Sequence, residues 1–106
     1  DTLNNRVLRA VPGAREARIF FGGHAGDGLD ELSQPSSIFF HGGAAYIVDT
    51  WNHRVLRARP TEQEASVYMP GRDVDGLGSL RFPSSMLFHE GAFFIVDRGN
   101  DRILRL

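Results

Sequence analysis

The sequence predicts an all-β protein built from short antiparallel strands in a repeated four-stranded unit. Three observations carry this reading. Residues 1–48 align with residues 49–96 without a gap, 25 of the 48 positions are identical, and a third copy runs from Asp97 to Leu106. Each period holds four runs of apolar and β-branched residues bounded by Gly, Pro and Asn, the pattern of strands. No segment shows the three- and four-residue apolar spacing of an amphipathic helix. A repeat of roughly 20–50 residues marks a solenoid, propeller or array, in which one unit cannot bury its apolar faces without neighbours.

In chain order the nine expected strands run third, fourth, then first to fourth, then first to third of the unit. Asn5–Ala10, with Arg6 and Arg9 among apolar residues, is a third strand, and Ala17–Phe21 is a fourth. Residues 22–35 form a Gly-rich connector, matched by residues 70–83 and long enough to cross from one sheet to the next. Leu29, Leu32, Leu77 and Leu80 are expected to pin it. Ser37–His41 and Ala44–Asp49 are the first and second strands, joined by Gly42-Gly43, because Gly takes φ > 0 at no steric cost. Ala44 to Val48 does not alternate apolar with polar, so this strand is expected to be buried on both faces, between two other sheets. After a bend, His53–Ala58 is a third strand, with Arg54 and Arg57 expected to lie wetter and further out, and Glu64–Met69 is a fourth. Ser85–His89, the Glu90-Gly91 turn and Ala92–Asp97 repeat the hairpin, and Asp101–Leu106 repeats the third strand.

Four antiparallel strands per period, with an inner strand buried on both faces, describe a β-propeller blade. Residues 1–106 are therefore read as one domain of about two blades, 1–48 and 49–96, plus a partial copy at 97–106. Propellers have roughly 4–8 blades, so a homo-oligomer that closes the ring is expected. Asn5–Ala10 and Asp101–Leu106 compete for one third-strand place. One of them is expected to be displaced or to pair with another chain, with Ala17–Phe21 completing the unit begun by the C-terminal strands, either within a chain or between chains in the ring. A chain that starts at Asp1 and not at Met is expected to be a processed or excised piece of something longer, or an engineered one.

Three segments also carry a resemblance to a family. Gly26-Asp27-Gly28-Leu29, then Leu32 with Pro35-Ser36-Ser37, then Ile47-Val48-Asp49-Thr50-Trp51-Asn52-His53-Arg54-Val55-Leu56 resemble the NHL repeat, over the whole chain and at each period. His41 and His89 stand where many such repeats carry Asp before the turn glycine, a departure that alters a turn and not the fold. The resemblance implies a six-bladed ring, hence three chains of two blades each. It also implies two alternative functions. NHL-type propellers resemble the peptide-amidating lyase and lactonase-like hydrolases, which place metal and catalytic residues at the axis, and some end RNA-binding regulatory proteins on basic platforms.

Charge and composition weigh against several classes. Twelve basic and thirteen acidic residues give a formal charge of -1, without the positive excess that phosphate backbones and anionic membranes reward. A local patch from Arg72 and Arg81 is what an RNA-binding version would have to use. No apolar run reaches the roughly 18 residues of a membrane span. Zero cysteines exclude disulfides and thiolate metal sites.

The candidate residues divide into a clasp and a patch. Asp49 ends one strand and Arg54 begins its partner, so an ion pair across the bend is expected, with Asn52 taking φ > 0 or capping the bend. Asp1, Asn4 and Arg6, and Asp97, Asn100 and Arg102, repeat the set. A constellation present in every unit is read as structural, and loss of Asp49 is expected to cost about 1–3 kcal/mol if the pair is partly buried. Where the copies differ, surface chemistry is expected. The bend carries Leu3, Trp51 or Gly99, and the connector carries His24-Ala25 or Arg72-Asp73, so Trp51, His53 and Arg72 are the candidate binding patch for a protein or peptide.

No catalytic or metal site is expected. Ser36, Ser37, Ser84 and Ser85 lie in no Gly-x-Ser-x-Gly elbow. His24, His41, His53 and His89 lack His-x-x-x-His spacing, and Asp27-Gly28 and Asp75-Gly76 lack the acidic ladder of a calcium loop. No cofactor is implied, and the first reading is a noncatalytic, self-assembling module.

Overall fold

The computed structural model describes residues 1–59, 65–69 and 79–106. Their strands form three antiparallel sheets that follow one another along the chain. β1 (Arg6–Arg9) and β2 (Arg18–Gly22) make a two-stranded first sheet. β3 (Ser37–His41), β4 (Ala44–Asp49), β5 (Arg54–Ala58) and β6 (Ser66–Met69) make a four-stranded middle sheet in sequential order. β7 (Ser85–His89), β8 (Ala92–Asp97) and β9 (Arg102–Arg105) make a three-stranded third sheet. Among the described residues there is no α-helix, and the bends before β1, β5 and β9 are single 3-10 turns at Thr2–Asn4, Thr50–Asn52 and Arg98–Asn100.

The sequence repeat is reproduced as a repeat of register. Val7 pairs with Phe21 and Leu8 with Ile19, and one period on, Val55 pairs with Met69 and Leu56 with Val67. The same one-residue bulge therefore falls at Phe20 and at Tyr68. Both hairpin turns use two residues with positive φ, Gly42 (58°) with Gly43 (76°) and Glu90 (47°) with Gly91 (80°). Such turns match the twist of the flanking strands. Of the connector leucines, Leu32 and Leu80 are buried and Leu29 is exposed. Leu77, Glu64 and the Asp75-Gly76 pair lie outside the described residues.

The middle sheet is packed on both faces. Tyr46, Val48, Val55 and Met69 meet Leu80, Met86, Ile95 and Leu104 on the side of the third sheet. On the other side Ile47, Leu56 and Ala58 meet Phe21 and Leu32. Phe93 centres the packing between middle and third sheets, with its ring 5.2 Å from Tyr46, 5.5 Å from Tyr68 and 5.0 Å from Phe88. β4 is buried at all six of its positions. β8 is buried at only three of six, because among the described residues its sheet has a neighbour on one face alone.

One expectation is corrected. β5 was expected to be wet, yet four of its five residues are buried and Arg54 is only 8% exposed. The reason is that the preceding connector folds over the guanidinium. Within one chain the two copies of the third strand lie in separate sheets, β1 paired with β2 and β9 with β8.

Candidate functional site

The bends that follow β4 and β8 gather the residues singled out by the sequence. At the end of β4 the chain makes one 3-10 turn and then reverses through His53, in the left-handed conformation at φ 53°. Asn5 (54°) and Asp101 (51°) take the same place in the other copies, and Asn, Asp and His are the non-glycine types that best tolerate it. Asn52 was expected either to take positive φ or to cap the bend, and the positive φ is not at Asn52. It falls one residue later, because Asn52 still belongs to the 3-10 turn, and its side chain is used as a donor instead.

Asp49 is fully buried at the centre of this bend. Its Oδ1 accepts the Ser33 N–H at 2.7 Å, and its Oδ2 accepts Asn52 Nδ2 at 2.8 Å and Arg54 Nε at 2.7 Å. Asn52 Nδ2 also donates to the Gly26 carbonyl at 2.7 Å. The remaining donors of Arg54 reach three further connector carbonyls, Asp27 and Gly28 at 2.8 Å and Glu31 at 3.0 Å. The triad is thus more than an ion pair across a hairpin. It ties the connector that crosses from the first sheet to the bend of the middle sheet, with charge-assisted bonds at every contact.

The other copies form the same triad. Asp97 is fully buried and accepts the Arg81 N–H at 2.7 Å, Asn100 Nδ2 at 2.8 Å and Arg102 Nε at 2.7 Å. Burial pushes its carboxyl pKa up, but the Arg81 N–H, Asn100 and the Arg102 guanidinium outweigh burial and hold it below the usual 3.8. Asp1 is held by Asn4 Nδ2 at 3.0 Å and by Arg6 Nε at 2.6 Å. Its side chain stays 28% exposed and that of Arg6 35% exposed, and among the described residues their side-chain bonds are local.

Of the expected patch, two members come together and one lies outside the described residues. Trp51 and His53 meet on Phe82, edge to face at 5.7 Å and 4.4 Å. His53 Nδ1 accepts the Phe82 N–H at 3.0 Å, just as Asn5 Oδ1 accepts the Gln34 N–H at 2.8 Å. His53 is therefore committed to the scaffold. The backbone N–H of Trp51 donates to the Ser33 carbonyl at 3.1 Å, while the residue stays 54% exposed. Arg72 lies outside the described residues. Phe82 was not singled out in the sequence, although its signal was there: it follows His53 by 29 residues, as Gln34 follows Asn5. At the equivalent of Trp51, Gly99 lies so close to Arg81 that a Cβ would stand 2.6 Å from its carbonyl oxygen.

The remaining polar residues serve the sheets. Ser36 Oγ donates to the Ser84 carbonyl at 2.8 Å and accepts from Thr50 Oγ1 at 2.7 Å. His41 stacks on Phe88 at 4.0 Å, and His89 lies exposed beside Glu90. Among the described residues no three His, Asp or Glu side chains converge as metal ligands would. No protein-family model matches the chain, and no curated protein shows significant similarity to it.

Three measurements test this site. Asp49→Ala strands the buried Arg54 and is expected to cost about 3–5 kcal/mol, whereas Asp1→Ala should cost under about 1 kcal/mol, as for exposed pairs. Equal shifts in urea midpoint would refute the role of the connector. Because the Asp97 carboxyl is held below 3.8 in the fold, its stabilisation is full above that pH and is lost as pH falls through the native value. Asp97→Asn should therefore lower stability at pH 6 and flatten its fall below about pH 4; a parallel acid profile would contradict this. His53→Asn should keep the native melting temperature by supplying the acceptor that Asn5 supplies, while His53→Leu, which leaves the Phe82 N–H without it, should cost about 1–3 kcal/mol.

Proposed function

We propose that this chain is a noncatalytic β-propeller module of the NHL type, whose four-stranded sheets are blades and whose activity is assembly with copies of itself into a closed ring. Three chains of two blades each make the six-bladed ring that the resemblance implies. The bend surface, with Trp51 exposed at its edge, is the face offered to a protein or peptide ligand. Neither nucleic acid nor membrane is a partner in this reading, given a formal charge of -1.

One observation carries the assembly reading. The third sheet leaves Leu87, Val96 and Ile103 exposed at 51%, 37% and 67%. Val48 and Val55, one period before Val96 and Ile103, are fully buried in the middle sheet. Contiguous apolar surface of this kind marks an interaction site. The noncatalytic reading rests on how the acids are used. Asp49 and Asp97 spend both carboxylate oxygens on scaffold N–H groups, and among the described residues the Ser36 hydroxyl bonds to a carbonyl and to Thr50.

Light scattering on the purified 106-residue chain tests this. A mass three times the 11.8 kDa of one chain is expected. A stable, well-folded species of one chain would refute it.

A further inference from the structure

We infer that the open groove beside the middle sheet is the seat of the third sheet of a second copy, and that β2 of the first copy pairs along β9 of the second. This rests on the self-assembly proposed above and names its interface.

The two surfaces are the two halves of a contact the chain already makes once. Ile38, Phe40 and Ala58 line a groove of about 830 Å3 between the middle and first sheets. One period on, Ile38 and Phe40 become Met86 and Phe88, the residues that the third sheet presents to the middle one. There Met86 is buried and Phe88 stacks on His41. In the opposite sense, exposed Leu87, Val96 and Ile103 are the counterparts of Phe39, Val48 and Val55, which receive the third sheet within the chain. Each chain therefore carries a donor face and an acceptor face of the same shape, both open. A contact that is head to tail in this way closes into a ring when its rotation divides a full turn.

The strands agree with the faces. Among the described residues β9 has a free edge in its three-stranded sheet, where the middle sheet carries β6. β1 reads Arg6-Val7-Leu8-Arg9 and β9 reads Arg102-Ile103-Leu104-Arg105, so they differ only by a methylene at Val7. β2 already pairs with β1 in the register and with the bulge of β6 on β5. It can exchange β1 for β9 of a second copy and place Phe21 opposite Ile103, Ile19 opposite Leu104 and Arg18 opposite Arg105. β1 is the strand that yields. Asp97 anchors β9 from a fully buried carboxylate, whereas Asp1 anchors β1 from an exposed one. Charge points the same way. Glu90, in the β7–β8 turn, then lies at the end of the strands where Arg18 and Arg59 rim the groove.

The chain has no cysteine, so engineered pairs report strand neighbours without interference. R18C/R105C and R9C/R18C place cysteines at strand ends, Arg9 being the partner of Arg18 within the chain. Each variant is oxidised, its assembled fraction is selected by light scattering, and the products are resolved on a denaturing, non-reducing gel. The expected result is chain-to-chain disulfides in R18C/R105C and none within the chain in R9C/R18C. If the protein assembles but R9C/R18C closes within one chain and R18C/R105C stays unlinked, the strand exchange is overturned and the self-assembly reading stands. If R18C/R105C links within one chain, the second copy is overturned as the partner. A single-chain mass overturns both.

Discussion

A carboxylate taken wholly out of water must be given donors, and the rest of this structure follows from how Asp49 receives them. Two of its hydrogen bonds come from its own bend, through Asn52 and Arg54, and one comes from the backbone of Ser33. Arg54 is then itself a buried cation with unused N–H groups. It satisfies them on the carbonyls of Asp27, Gly28 and Glu31. Removing the charge from water would otherwise cost several kcal/mol per ion, so the connector must fold over the bend. It then carries Leu32 into the core beside Phe21 and Ile47. A local ion pair thereby becomes the joint between neighbouring sheets.

The three copies show what the joint adds. All three make the triad of Asp, Asn and Arg with the Arg Nε within 2.7 Å of the carboxylate. With a full set of connector carbonyls the pair is buried. In the third copy Arg102 is partly exposed, and among the described residues its guanidinium and Asn100 share the Ser79 carbonyl. In the first copy, where the contacts are local, both side chains are wet. The side-chain triad is thus encoded by the bend itself, and in the middle copy its burial comes with the connector that covers it.

The same division explains which site residues were legible. Asp, Asn and Arg recur one period apart, so the clasp could be read directly. The fate of His53 could not, because its role depends on an acceptor reaching a backbone N–H 29 residues away. Asn5 performs that role with a different side chain, which hides the equivalence from a comparison of residue types. Arg54 was misplaced for a related reason: a strand with two arginines reads as wet until a connector of carbonyls covers one of them.

By itself the sequence determined the strands, their order and their turns, because two-residue periodicity, Gly-bearing turns and a 48-residue repeat are local signals. It also determined that β4 is apolar on both faces. Only the tertiary structure decided which strands are buried in fact. β4 and β8 have nearly the same sequence character, yet one is enclosed at every position and the other is open on one face. Burial is a property of the neighbouring sheet as much as of the strand, and hydrophobic free energy is realised only where a second surface removes the first from water.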